Sequence, residues 1–510
     1  MVSDGMGPTS LSLTRSWRQY VEQVPYDETL TLDRHMIGQS RTRSSSSLVT
    51  DSAAGATAFS CGQKSYNGAI SVTPDFEPCG SVMEAAHRLG YTTGLVVTTR
   101  LTDATPAVFA SHVRRREMED QIATQMLGLD NPVGRVVDLM FGGGRCHFLP
   151  NSTDGSCRAD DVNTIAEGAA AEDWKHISTR REFDSLGTSI EMPMVGLFAE
   201  GDIPYEIDRQ YQEDVFPSLS QMAEKALNAL AAATEDKDQG FFIMIEGSRI
   251  DHAGHGNDPA AQVHEVREYD RTVAMVLDFI QESSTPTLMV STSDHETGGL
   301  AVARQLHPSY PDYLWYPGVL ANASHSASHT SHTYNDHLNG ETSPGSKEEL
   351  KAWLSDLSHQ SLGIKDAADE ELDLLIEHPA AASYFFAEMI SRRAQTGWST
   401  HGHSAADVNI YSSDPKLASD LVGNHENTDV GAFLRSFLEL DDEVESVTKV
   451  LKEHMKVSAA GEGGKEVSWL GEIPDEGERL DGQDHLDHYD HIDDYAGEHR
   501  TRREAVWHLH

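Results

Sequence analysis

Apolar residues along this chain come in blocks of two kinds that follow one another. Ser81-Val82-Met83-Glu84-Ala85-Ala86-His87-Arg88-Leu89-Gly90 has apolar positions at helical spacing, a serine where an N-cap belongs and a glycine where a helix stops. The next block, Thr92 to Thr99, is a nearly unbroken β-branched run, the pattern of a strand buried on both faces. The pairing recurs: Ser218 to Ala232 predicts an amphipathic helix and Gly240 to Gly247 a strand, then Ala260 to Glu282 a long helix and Thr287 to His295 a strand. Helices alternating with buried strands imply an α/β fold with a mostly parallel sheet.

Other stretches break that rhythm. Leu30 to Ser47 is polar and serine-rich and reads as loop. From 300 to 395 the chain turns aromatic and proline-rich (Tyr310 to Pro317), then low in complexity (Ser324 to His332), with helical patterns at Glu348–Leu357 and Glu370–His378. We expect an insertion there on the rim of the core formed by residues 1–299. Regular structure resumes over 396–440, with a strand at Asp407–Tyr411 and a last helix from Thr428 to Leu438. From 441 to 510 the chain is acidic and His-rich, and the expectation is a solvated, disordered tail.

Composition narrows the function. A formal charge of −43 over 510 residues argues against nucleic acid and anionic membrane surfaces as partners. Twenty-six histidines point toward metal sites. Four cysteines allow three pairings; a Cys146–Cys157 disulfide would close a short polar loop, and a Cys61–Cys79 disulfide would close another. Asn151-Ser152-Thr153 and Asn322-Ala323-Ser324 fit the N-glycosylation pattern, which beside disulfides favours a secretory-route compartment. There is no apolar run of membrane-spanning length and no signal peptide. Only three residues precede Asp4-Gly5, so we expect a strand, and with it a membrane anchor, upstream of this start.

Chemistry-bearing residues gather where strands are expected to end. Thr50-Asp51-Ser52-Ala53-Ala54-Gly55-Ala56-Thr57-Ala58 sets a serine among small residues at an expected strand-to-helix junction, where helix amides favour an anion. Alone, such a run favours close helix packing; the clusters elsewhere make Ser52 a nucleophile candidate. Asp103 is placed to cap a helix expected to continue through His112 and Arg114-Arg115-Arg116. Glu246 ends one strand, and Asp251 and His255 follow four residues apart, on one side of a helical turn. Asp294-His295 ends another strand, and Thr400-His401-Gly402-His403 precedes the next. Mixed Asp and His sets suit zinc, and all-oxygen sets suit magnesium.

Six strings in order resemble the alkaline phosphatase family, its fungal vacuolar members above all: Asp4–Gly7, Asp51–Ala58, Thr102–Arg116, Glu246–His255, Ser293–Gly299 and Thr400–Ser404. The resemblance implies a three-layer sandwich with a large, mostly parallel central sheet and a rim insertion. It implies a homodimer with two zinc ions and one magnesium per chain. One zinc would be held by Asp251, His255 and His403, the other by Asp4, Asp294 and His295. Magnesium would be held by Asp4, Thr105 and Glu246, with Asp103 and His252 around it. Ser52 would form a phosphoserine from phosphate monoesters, Arg116 would hold the phosphate oxygens, and activity would rise toward alkaline pH. The expected location is the vacuole or its membrane. Alternatives are a related phosphodiesterase or sulfatase-like hydrolase, or a metal-binding homologue left inactive by its short N-terminus.

Overall fold

Nine strands form the central sheet of the computed structural model, which describes residues 1–340, 345–461 and 469–474. They are β1 (Met36–Arg41), β2 (Thr92–Arg100), β3 (Leu139–Gly143), β4 (Lys175–Ile177), β5 (Met194–Leu197), β6 (Phe241–Ile245), β7 (Val290–Thr292), β8 (Val408–Ser412) and β9 (Gly423–Glu426). One half runs β4-β5-β3-β2-β6, all parallel; the other runs β9-β1-β8-β7, with β8 antiparallel to its neighbours. Val2 joins the halves. It bridges Glu246 on one side and Thr292 on the other, both in parallel sense, with its N–H donating to Ile245 and its carbonyl accepting from Gly247. The three residues before Asp4 thus occupy the middle of the sheet and hold that carboxylate in place.

Alternation along the strands feeds two cores. Leu95 and Val97 of β2, Met140 of β3 and Val195 of β5 point into one apolar layer, while Val96, Phe141 and Met194 point into the other. The Ser52–Cys61 and Asn427–Phe437 helices cover the first face, and the Leu219–Thr234 and Pro259–Glu282 helices the second. The expected helix–strand pairs are present: Ser81 and Ser218 both cap their helices through a capping box.

Several elements differ from the sequence-based expectation. Leu30–Ser47 contains β1, because Met36–Arg41 finds sheet partners on both edges despite its polar composition. The chain before Ser52 is irregular rather than a strand, and Leu48 is half exposed. The helix after Asp103 spans only Ala104–Ala107. Val113 instead pairs with Ile70, which pulls the following residues into extended chain, and His112 is buried against Glu84 at 2.8 Å rather than carried on that helix. The serine- and histidine-rich stretch after Ser324 is the helix Ala327–Asn339. At 441 a helix begins, Asp441–Gly461, burying Val444, Val447 and Leu451; Trp469 and Leu470 pack beside it. The tail expected from 441 is therefore partly core, and residues 475–510 lie outside the described residues. Both disulfides, Cys61–Cys79 and Cys146–Cys157, are formed.

Candidate metal centre

Parallel strands deliver their last residues to one rim. Asp4 follows the Val2 bridge, Glu246 follows β6, Asp294 and His295 follow β7, and Asp103 and Thr105 follow β2. Such C-terminal strand ends are where open α/β sheets build their sites. Asp251 and His255 stand one turn apart on the helix Arg249–His255, with Asp251 Oδ2 3.3 Å from His255 Nε2. His403 arrives on a short ladder, paired antiparallel with Thr297. The backbones come unusually close. Gly5 has φ +72°, and a Cβ there would lie 2.6 Å from the Asp251 Cα; at Gly55 it would lie 3.0 Å from the Asp294 Cβ. The small-residue run around Ser52 therefore serves close packing and positioning together.

Three imidazoles share one arrangement. His255 Nδ1 donates to the His401 carbonyl, His403 Nδ1 donates to the Thr50 carbonyl at 2.7 Å, and His295 Nδ1 lies 3.1 Å from Thr297 Oγ1. A carbonyl only accepts, so the His255 and His403 tautomers are set and their Nε2 lone pairs turn inward. Those two Nε2 atoms are 3.2 Å apart, and His403 Nε2 is 3.5 Å from Asp251 Oδ1. His295 Nε2 is 3.2 Å from Asp294, 3.5 Å from Asp4 and 3.0 Å from Ser52 Oγ. Lone pairs and carboxylates facing one another at this spacing need a cation between them. Tying the outer ring nitrogen while the inner one stays free is how metal-binding histidines are oriented.

Burial sharpens the demand. Asp4, Asp251, Asp294 and Glu246 are all nearly inaccessible, and Asp4 Oδ1, Asp294 Oδ2 and Glu246 Oε2 make no hydrogen bond among the described residues. Burial and then the charges of Asp294, Asp251 and Glu246 push the Asp4 carboxyl well above the usual range. Glu246 is pushed up too, by burial first and then by Asp103 and Asp294. Thr105 Oγ1 donates to Asp4 Oδ2 at 3.4 Å, so Asp4, Thr105 and Glu246 form an oxygen-only group beside the nitrogen-containing ones. Burial pulls the His255 imidazole down, but the hydrogen bond and charge of Asp251 outweigh it and raise it to about 9. His403, buried and beside His295, falls to about 4. Divalent cations fit this donor set: they would satisfy the orphaned oxygens and replace the proton that His255 otherwise carries.

Ser52 opens the helix Ser52–Cys61, and Asp51 caps it by accepting from the Ala54 N–H at 3.0 Å. Asp51 Oδ2 also takes the Gly68 N–H and one N–H of Arg116 at 3.2 Å, while Asp103 takes another at 2.9 Å. Burial alone would raise Asp103, but Arg116, Arg100 and His252 overcome it and hold it at about 2. His252 lies 3.5 Å from Asp202 and is kept low mainly by burial. Every site residue named from the sequence thus falls in or around this one cluster. Asp51, Arg100, Asp202 and Thr297 were not singled out beforehand. Asp51 had a visible signal, an N-cap position one residue before the candidate nucleophile; Thr297, which donates to Asp251 and contacts His295, had none beyond its place after Asp294-His295.

The alkaline phosphatase family model matches residues 1–440. The chain is 52% identical over 473 residues to the repressible alkaline phosphatase of Saccharomyces cerevisiae, covering 89% of this chain and 82% of that one. It is 44% identical over 459 residues to an alkaline phosphatase of Schizosaccharomyces pombe, with the same two coverages. Among solved structures, a cold-active alkaline phosphatase from a Shewanella species superposes with a TM-score of 0.71 at 30% identity, over 86% of this chain and 98% of that one. The chain belongs to the alkaline phosphatase family and is a metal-dependent phosphomonoesterase.

Proposed function

We propose that the centre takes two zinc ions and one magnesium and cleaves phosphate monoesters through a phosphoserine on Ser52. The observation that carries this is the set of inward Nε2 atoms of His255, His295 and His403 among buried carboxylates. Asp251, His255 and His403 would hold one zinc; Asp4, Asp294 and His295 the other; and Asp4, Thr105 and Glu246 the magnesium, with Asp103 and His252 around it. Bound metals supply positive charge and Lewis acidity, which make a serine hydroxyl a competent nucleophile near neutral pH.

The chain's own groups supply the rest. Ser52 Oγ forms a bond to phosphorus as the ester oxygen departs with its electron pair and takes up the proton the serine gives up; water oxygen then bonds to phosphorus as the Oγ–P bond breaks, a water proton restores the serine hydroxyl, and inorganic phosphate is released. The first-turn amides of the Ser52 helix lie beside the nucleophile, where an anion is favoured. Asp51 and Asp103 fix two N–H groups of Arg116, so its remaining donors reach the phosphoryl oxygens without a search for orientation. The proton on His255 competes with metal up to about pH 9, which supports an alkaline optimum. We further propose a homodimer in the vacuole, reached by the secretory route. The two disulfides and the exposed sequon residues Asn151 and Asn322 favour that route, and the vacuole and the dimer rest on resemblance alone. No helix among the described residues is long and apolar enough to cross a membrane.

Acid quenching during turnover of an aryl phosphate, followed by peptide mass spectrometry, is expected to find phosphate on Ser52. Ser52→Ala should lose at least about 10³-fold in kcat while keeping its metals; a variant that retains wild-type turnover removes Ser52 from the reaction. The same assay with an aryl diester should show much slower cleavage, and equal rates would favour the diesterase reading. Arg116→Ala is expected to weaken inhibition by inorganic phosphate about 10–100-fold, the loss of one charged hydrogen-bonding group; an unchanged inhibition constant places the phosphate elsewhere. Zinc affinity of the metal-free protein should rise about tenfold per pH unit up to pH 9 from His255 alone. Chelator competition at pH 7, 8 and 9 measures this slope, and a flat profile would contradict it.

A further inference from the structure

A second group of ligand-type side chains meets where the 300–395 segment touches the core. Asp208 sits in the short helix Glu206–Arg209, and His325 and His329 flank the N-cap of the helix Ala327–Asn339. Asp208 is 5% exposed, accepts the Ser326 N–H at 3.0 Å and lies 3.1 Å from His325 Nδ1. The rings of His325 and His329 stack with centroids 4.1 Å apart at 16°, and Tyr211 packs 4.8 Å from His325. One ligand atom of each of the three lies within 4.8 Å of the other two.

We propose that Asp208, His325 and His329 form an additional zinc site that clamps the 300–395 segment onto the core. Two imidazoles and a carboxylate are a nitrogen and oxygen set that suits zinc and leaves a fourth position for water. His325 is partly exposed, its side chain at 25%, so water reaches that position. Ligand atoms on a tetrahedral zinc stand about 3.3 Å apart, close to the Asp208–His325 separation; small side-chain rotations bring in His329. The centre itself provides the comparison: Asp251, His255 and His403 approach one another at 3.2–3.5 Å. A plain hydrogen bond accounts for Asp208 and His325 but not for His329. Its ring makes no side-chain hydrogen bond among the described residues, yet it lies flat against His325 beside the same carboxylate.

The location gives the clamp its purpose. Just past His325 and Ser326, the Ala327 N–H donates to Asp258 Oδ2 at 2.7 Å. Asp258 Oδ1 caps the Pro259–Glu282 helix, and Asp258 follows His255 by only three residues. An ion at Asp208, His325 and His329 would fix the segment to the stretch that carries His255.

The test uses the full chain and zinc alone. Wild type and a His325→Ala/His329→Ala variant are equilibrated with zinc, desalted, and their metal counted per chain. The variant is expected to hold one zinc fewer and still turn over an aryl phosphate; equal counts overturn the proposal. Because the variant's folding is not assured, wild-type protein is also labelled with diethylpyrocarbonate with and without zinc and read by peptide mass spectrometry. Zinc should protect both His325 and His329, in step with the extra equivalent. Labelling of both residues that zinc does not change overturns the site whatever the variant does.

Discussion

Buried negative charge is the constraint on which the rest of this structure depends. Asp4, Asp251, Asp294 and Glu246 converge with at most 7% exposure, and three of their oxygens make no hydrogen bond among the described residues. Isolated buried charges cost several kcal/mol each unless they are paired or coordinate metal. Without cations the cluster defends itself by taking up protons, which is the meaning of the raised Asp4 and Glu246 carboxyls and the His255 imidazole held at about 9. Metal binding and folding are consequently coupled: the same ions that enable chemistry relieve the most strained part of the core.

Bringing the carboxylates together fixes the topology. They come from both halves of the sheet, so the seam between β6 and β7 lies directly beneath the centre. Val2 closes that seam, and Asp4 rises from it between Glu246 and Asp294. Glycines at positions 5 and 55 let the chain pass close to Asp251 and Asp294: a Cβ at position 5 would collide with the Asp251 backbone, and one at position 55 would press tightly on Asp294. Ser52 gains its position from the same close approach. Packing and the placement of Ser52 therefore make one demand on these residues, and the plain Ala and Gly composition around Ser52 answers both.

The convergence of the candidate site residues was legible because they lie in short strings at strand ends, where open α/β sheets bring side chains together. The fold was legible wherever burial on both faces wrote a continuous apolar run, as in β2, or a capping serine marked a helix, as at Ser81 and Ser218. It was least legible where tertiary pairing decided the outcome. β1 is polar, and only its neighbours β8 and β9 make it a strand. The extended chain around His112 owes its form to Ile70 and Glu84, partners some 30 to 45 positions away in sequence. The helix Ala327–Asn339 was hidden by serine and histidine, which have modest helix propensity but pack here through Ala327, Thr330 and Tyr334. The Asp441–Gly461 helix was masked by the acidic composition around it, although Val444, Val447 and Leu451 follow helical spacing.

The 300–395 segment poses a mechanical problem that its ends solve. The chain leaves the centre just after Asp294 and His295 and returns about a hundred residues later with His403, which must meet His255 and Asp251 within a few tenths of an ångström. Two short antiparallel ladders close the excursion: Ala301–Val302 with Thr396–Gly397, and Glu296–Thr297 with His403–Ser404. In the second ladder His403 is paired with Thr297, the residue that also contacts His295 and donates to Asp251. A slip of one residue would turn His403 to the opposite face. The register of a two-residue ladder is weak by itself, so it must be enforced by what lies beyond it. The helices of the segment do this by packing Leu354, Phe386 and Ile390 into one apolar cluster with Leu13 and Trp17 of the Pro8–Glu22 helix and Val263 of the Pro259–Glu282 helix. The segment is thereby tied to the chain immediately after Asp4 and to the helix immediately after His255, so the two stretches that carry Asp4 and His255 and the returning His403 are located by one common core.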